Sequence, residues 1–235
     1  MRNTRSSVLV ATGLLGALAT CSAHAQDKWS YEMSPFLWAA GIDGREGSNG
    51  LVADVDASFK DLVDFVNVGA ALRIVARRPP LGWFGEASYV ELKDDVPVAS
   101  GTLRLKSTQT FAEGGLVYEF NSAFAVYGGL RYQDLDTKLE FASGRTSQSE
   151  NWVDGMVGVR WTPLVSDTWY AWARADVGGG SSDHVWLAEA GGGYRWGSRW
   201  GAYLAYRVLD TDYEHGGFVY DIQQSGLLFG FGIRF

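Results

Sequence analysis

The sequence predicts an all-β fold, a closed antiparallel transmembrane β-barrel of about ten strands (roughly 8–12) with a short helix in the first external loop. Three observations carry that expectation. In the segment Val219–Phe235, large apolar residues stand at every second position from Leu227 onward: Leu227, Phe229, Phe231, Ile233 and Phe235. Glycine or polar residues mostly fill the places between, with Leu228 the exception, so the strand has one apolar face. Left as an open edge in water, such a strand invites aggregation, which closure in lipid removes. Composition is the second observation: 30 glycines, 10 tryptophans and 11 tyrosines in 235 residues, with a mean hydropathy of −0.08. Glycine relieves crowding inside a barrel, Trp and Tyr favour the lipid–water boundary, and only alternate residues of a spanning strand need be apolar. The third observation is the rhythm of turn signals, which divides the chain into ten extended segments.

From the start of the chain, Arg2 and Arg5 precede an uncharged run, Ser6–Thr20, and Ala23-His24-Ala25 has the form of a cleavage site. Residues 1–25 are therefore expected to be a signal peptide, and 26–235 the barrel domain with an insertion at 45–65. Cys21 stands in a poor version of a lipoprotein acylation site, with Thr20 where a smaller residue is usual. Cleavage after Ala25 removes it and leaves no cysteine for a disulfide framework. With 27 acidic against 20 basic residues, the chain has no basic footprint for nucleic acid.

The ten expected strands are Trp29–Ile42, Val66–Arg77, Leu81–Lys93, Leu103–Phe120, Phe124–Phe141, Asn151–Thr162, Thr168–Gly178, His184–Trp196, Gly201–Tyr213 and the C-terminal segment. Pro35, which has no N–H to give a ladder, predicts a bulge in the first. Short connections (Arg78–Pro80, Asn121–Ala123, Pro163–Asp167, Gly197–Trp200) alternate with longer ones (Asp43–Phe65, Asp94–Thr102, Ala142–Glu150, Gly179–Asp183, Glu214–Phe218). Barrels keep short turns on the inner side of the membrane and longer loops outside. Trp83, Trp161, Trp169, Trp196 and Trp200 all fall beside the short turns, as an inner aromatic girdle would.

The last strand, with its alternating apolar positions and Phe235, resembles the C-terminal targeting strand that the barrel-assembly machinery reads in bacterial outer-membrane proteins. A second resemblance rests on Ser34-Pro35-Phe36-Leu37-Trp38-Ala39-Ala40-Gly41-Ile42-Asp43-Gly44 and on Val55-Asp56-Ala57-Ser58-Phe59-Lys60-Asp61-Leu62. These segments are similar to those of a group of proteobacterial outer-membrane barrel proteins, most without an assigned role, that share SPxLWxxGxDG and VDxSFxDLL-like segments. The likeness extends through the third strand and to the last one, with the middle weakly marked. It implies a barrel in the bacterial outer membrane, with outer-membrane lipids, lipopolysaccharide and the barrel-assembly machinery as partners. It brings no cofactor and no catalytic residue.

Within the insertion, Leu51–Ala57 alternates like a short strand, and Ser58–Val66 then switches to helical spacing. Phe59, Leu62, Val63 and Val66 share one side, Lys60, Asp61 and Asp64 the other, and Ser58 with Asp61 can cap the helix. Two readings are open: a lid whose Phe59, Leu62 and Val63 close the barrel mouth, or an ordered loop over the first hairpin.

Strand parity turns a set of charged residues inward: Arg73, Glu86, Glu113, Arg131, Asp154, Arg160, Arg174, Asp176, Glu189, Arg195, Arg207 and Arg234. In a narrow barrel long side chains of both signs meet across the lumen and fill it; arranged as rings, they would instead line a weakly selective pore. At the outer rim, Ser182, Asp183 and His184 in one hairpin and Asp212 and His215 in the next could form a nucleophile–base–orienter set, or a His–Asp pair that activates water. No HExxH or EF-loop spacing is present, so no metal is expected. The functional expectation is a non-enzymatic structural or narrow-channel barrel of the cell envelope. The alternatives are a rim hydrolase acting on lipid A or peptides, and a surface receptor or adhesin working through the external loops.

Overall fold

A strand whose side chains alternate must bury one face and pair both edges, and in this chain both demands are met by curling one sheet into a ring. The computed structural model describes residues 28–235 apart from 49, 99–100 and 142–143; the expected signal peptide, Cys21 included, lies outside them. In chain order the elements are β1 (Ser30–Ser48), β2 (Leu51–Ala57), α1 (Phe59–Val63), β3 (Val66–Arg78), β4 (Leu81–Val98), β5 (Gly101–Glu119), β6 (Phe124–Phe141), β7 (Gly144–Val165), β8 (Trp169–Gly180), β9 (His184–Trp196), β10 (Trp200–His215) and β11 (Phe218–Arg234). From β3 onward each strand pairs antiparallel with the next, and β1 joins β3 to β11, closing the ring at ten strands. β2 pairs with the upper half of β1 alone.

In β10 the buried residues Tyr203, Ala205, Arg207, Leu209, Thr211 and Tyr213 alternate with exposed Leu204 and Tyr206. The same period leaves Leu37, Leu116, Leu130, Val157, Val159, Val177, Leu227 and Phe229 exposed around the outside. Such an apolar exterior over a closed ladder is what hydrocarbon requires, because lipid offers no partner to a free N–H or C=O. Trp83, Trp161, Trp169, Trp196 and Trp200 are all exposed on the outer surface near the short-turn end.

The strands run further than the apolar alternation. β1 continues to Ser48 instead of ending at Ile42, and the expected loops Asp94–Thr102 and Ala142–Glu150 are largely the paired arms of the β4–β5 and β6–β7 hairpins. Apolar patterning stops where lipid would stop, but backbone pairing needs no apolar side chain and continues beyond it. The bulge expected at Pro35 is absent: the register with β11 is the same on either side of it. Pro35 is the last β1 residue paired to β3, so its missing N–H falls where that ladder ends. Register shifts occur instead between Val66 and Val68, and between Trp161 and Leu164, around Pro163.

Continuing the β1–β3 register past Pro35 would pair residues 36–41 with 66–71, yet no ladder forms there, and residues 66–70 are exposed. The start of α1 lies at this gap, the backbone of Ala57, Ser58 and Phe59 resting against Gly41. The helix carries the expected capping box. The Ser58 side chain accepts from the Asp61 amide, and the Asp61 carboxylate accepts from the Ser58 hydroxyl at 2.5 Å and the Ser58 amide at 3.0 Å. Those donors hold Asp61 below the usual carboxylate range. Phe59 and Val63 are exposed and none of the helix is buried, so α1 lies along the wall and is not a lid over the mouth.

Inside the ring three tyrosines lie flat against the glycine opposite them on the next strand: Tyr127 on Gly158, Tyr170 on Gly193 and Tyr203 on Gly230. A Cβ at any of these glycines would enter the ring, so glycine here is a seat for an aromatic.

Candidate functional site

Rising from the short-turn end, the strands deliver one inward residue of each pair to successive levels of the interior. At the lower middle level stand Arg73 on β3, Glu86 on β4, Glu113 on β5, Arg131 on β6, Arg174 and Asp176 on β8, Glu189 on β9 and Arg207 on β10. Four guanidiniums meet four carboxylates. The pairs cross the lumen between strands that are not neighbours: Arg207 to Glu86 at 2.5 Å, Arg73 to Glu189 at 2.9 Å, Arg174 to Glu113 at 2.8 Å and Arg131 to Asp176 at 2.9 Å. The Arg131, Glu113 and Asp176 side chains have no exposed surface. A charge taken out of water costs several kcal/mol unless its lone pairs and protons are engaged, and the shared acceptors meet that cost. Glu189 accepts from Arg73, Arg174, Arg207 and the Trp172 indole. Arg207 also lies over the rings of Trp38 and Phe36, at 5.2 and 5.7 Å from their centroids.

Above this ionic level the inward positions turn apolar. Phe111, Val185, Leu187 and Leu209 are buried together, with Trp38 against them. One step higher are amides and a hydroxyl: Gln224 donates to Gln109 at 3.0 Å, and Gln133 to Thr211 at 3.2 Å. At the mouth Trp152 stacks on Tyr213, 4.3 Å between centroids, and packs with Phe218, Tyr220 and Ile222. Inward aromatics of β7, β10 and β11, which parity alone places inside but not together, are therefore packed together at the end opposite the short turns.

Below the ionic level the interior is hollow. A cavity of about 760 Å³ opens at the short-turn end, walled by Arg160, Arg195, Arg234, Glu32 and Glu119 and by the rings of Tyr170, Trp172 and Tyr203. Of the residues expected in the lumen, Arg160, Arg195 and Arg234 belong to this hollow, Arg160 paired with Glu119 and Arg234 with Glu32, each at 2.7 Å. Asp154 belongs to neither: it is wholly buried and organises the β8–β9 turn, accepting from the Ser181 and Ser182 amides at 3.0 and 2.8 Å.

The rim candidates do not converge as a nucleophile–base–orienter set, though His184 does stand beside Asp212. Ser182 is buried, and its hydroxyl donates to Asp154. His184 is exposed and lies 3.6 Å from both Asp210 and Asp212, outside the Ser182 network. The Asp183 amide is tied to the Asp212 carbonyl at 2.9 Å, and His215 packs near the Tyr213 ring. His184 begins β9 one residue before inward-facing Val185 and so points outward, whereas Ser182 lies in the turn with its hydroxyl on Asp154, so the two read as a pair in sequence and not in space. Among the described residues no cluster of His, Cys, Asp and Glu is arranged to hold a metal ion.

No family model matches the chain, and no curated protein matches it. Similar solved structures include Ail, the attachment invasion locus protein of Yersinia pestis, at 12% identity over 89% of this chain and 99% of that one, with a TM-score of 0.43. The translocator domain of the autotransporter NalP from Neisseria meningitidis aligns at 14% identity over 88% of this chain and 89% of that one, with a TM-score of 0.39. A major outer membrane protein from Thermus thermophilus aligns at 14% identity over 88% and 99%, with a TM-score of 0.39. The barrel is closed by the chain's own strand ladder, through the pairing of β1 with β11.

Proposed function

We propose that this chain is an integral barrel of the bacterial outer membrane, non-enzymatic, with a lumen plugged across its middle and at the end opposite the short turns by its own side chains so that it serves the envelope structurally and does not conduct. The observation that carries the reading is the neutral cross-lumen network of Arg73, Arg131, Arg174 and Arg207 with Glu86, Glu113, Asp176 and Glu189, stopped above by Trp152 and Tyr213. The aromatic end with tight turns faces the periplasm in this reading, and the tall hairpins face outward. Lipid, lipopolysaccharide and the assembly machinery that reads the last strand are its partners.

Single-channel recording of the refolded chain in a planar bilayer tests the filled lumen. Folded barrel with no unitary current is the expected result, and stable conductance of the unmodified chain overturns it. Replacing Ala for both His184 and His215 leaves folding and any peptidase or lipid-deacylation signal unchanged; a signal lost with them would restore the hydrolase.

A surface receptor role is the second reading, and one observation favours it. Crossing a bilayer takes about 9–11 residues of a tilted strand, whereas β6 and β7 have 18 and 22. The excess stands in water as a paired platform, a form suited to contact with other macromolecules.

A further inference from the structure

The hollow at the short-turn end carries more positive charge than its own carboxylates offset. Six arginines line it against three glutamates. The two deepest, Arg73 and Arg174, are met from behind by Glu86, Glu113 and Glu189. Nearer the opening are four more, facing among the described residues only Glu32 and Glu119. Arg234 pairs with Glu32 at 2.7 Å, Arg160 with Glu119 at 2.7 Å, and Arg77 reaches the same Glu119 at 3.8 Å. Arg195 has no carboxylate partner among the described residues. Its guanidinium lies over Tyr170, 4.3 Å from the centroid, and donates to the Ser166 carbonyl at 3.1 Å.

Donors are also left over. The Nε atoms of Arg160, Arg174 and Arg195 are buried without a hydrogen-bond partner, and the Arg174 side chain is 90% buried. Unpaired buried donors are costly, so these guanidiniums are not fully satisfied by the protein itself. One part of the remaining wall is aromatic, with Tyr170 and Trp172 stacked at 5.7 Å and Trp172 edge-on to Tyr203. Aromatic walls around excess guanidinium suit a ligand with a flat apolar body and a fork-like anionic group, since guanidinium binds phosphate and carboxylate through paired N–H donors.

We propose that this hollow is a binding site for an organic anion, a phosphate or carboxylate joined to an aromatic or other apolar body, held by Arg195 and Arg77 with its body among Tyr170, Trp172 and Tyr203. The site lies below the ionic plug and does not depend on whether the lumen conducts.

Isothermal titration of naphthyl phosphate into the full chain in phosphatidylcholine nanodiscs reads it. Expected is saturable binding of one ligand per barrel, about tenfold tighter than inorganic phosphate or naphthol, with about a tenfold loss in Arg195→Gln. No saturable binding, equal binding of naphthol or inorganic phosphate, or an unchanged affinity in Arg195→Gln overturns the proposal. Heat-modifiable gel migration verifies that the variant is folded; should it not be, Arg77→Gln, half-exposed at the opening, takes its place with the same expected loss. Competition by phosphatidylglycerol in the nanodisc would assign the site to a lipid phosphate, and undiminished binding in its presence to a soluble anion.

Discussion

Glu189→Ala lowers the stability of the folded barrel by about 3–5 kcal/mol, the cost of breaking a buried charge set by removing one partner. The Glu189 carboxylate has no exposed surface and accepts from Arg207 at 2.8 Å, Arg73 at 2.9 Å, the Trp172 indole at 3.0 Å and Arg174 at 3.3 Å. Without it three guanidiniums face one another across a few ångströms, with Glu86 and Glu113 as the carboxylates still bonded to them. Glu189→Gln keeps the shape and loses the charge, so it falls between. Adding Arg207→Met to Glu189→Gln removes one charge of each sign and recovers part of the loss. Urea unfolding in detergent, followed by gel migration and tryptophan fluorescence, measures all three. An unmoved midpoint in Glu189→Ala would show that the plug does not hold the barrel together.

Gly226→Ala has a comparable effect by a different route. Gly226 faces Ala40 across the β1–β11 seam, and a Cβ there would overlap the carbonyl oxygen of Ala39 and crowd the Ala40 Cα. The obstacle is backbone, which cannot rotate away as a side chain does. The two strands must separate at the joint that closes the ring, and the cost is about 3 kcal/mol, the upper range for overpacking. Gly85→Ala is the matched control, since a Cβ at Gly85 meets nothing within 4 Å. Refolding yield and unfolding midpoint should fall in the first and stay in the second. Equal behaviour of the two would mean that the seam tolerates more separation than its geometry suggests.

What the sequence makes legible is parity. In β7 the unbroken alternation of Val153, Gly155, Val157 and Val159 with Trp152, Asp154, Met156 and Gly158 assigns every inward residue, and the buried set is that one. Which inward residues meet is not legible, because it depends on curvature and strand stagger: Arg207 and Glu86 are 121 positions apart and touch. The switch from strand to helix at Ser58 is legible from spacing and from the cap. The place of that helix is not, since nothing local says which way a five-residue helix lies on a barrel. Strand ends are misjudged for a related reason, as in β4 and β7, where pairing outlasts the pattern that lipid imposes. The hollow at the short-turn end had a signal in Arg160, Arg195 and Arg234, each inward and close to a strand end, though without the cross-strand geometry they join the same list as the plug.

The interrupted ladder beside β1 bears on the order in which the ring is built. From β3 to β11 every pairing is between consecutive strands, so each hairpin can form from chain already at hand. β1 is different. Its contact with β3 stops at Pro35, while its pairing with β11 runs to Ser48, joining segments nearly a whole chain apart. Bringing distant segments together costs entropy that grows with the intervening length. β1 can pair with β2 and, over Ser30–Pro35, with β3 from chain close at hand, but the sheet remains an unclosed ribbon until β11 arrives to take up its other edge.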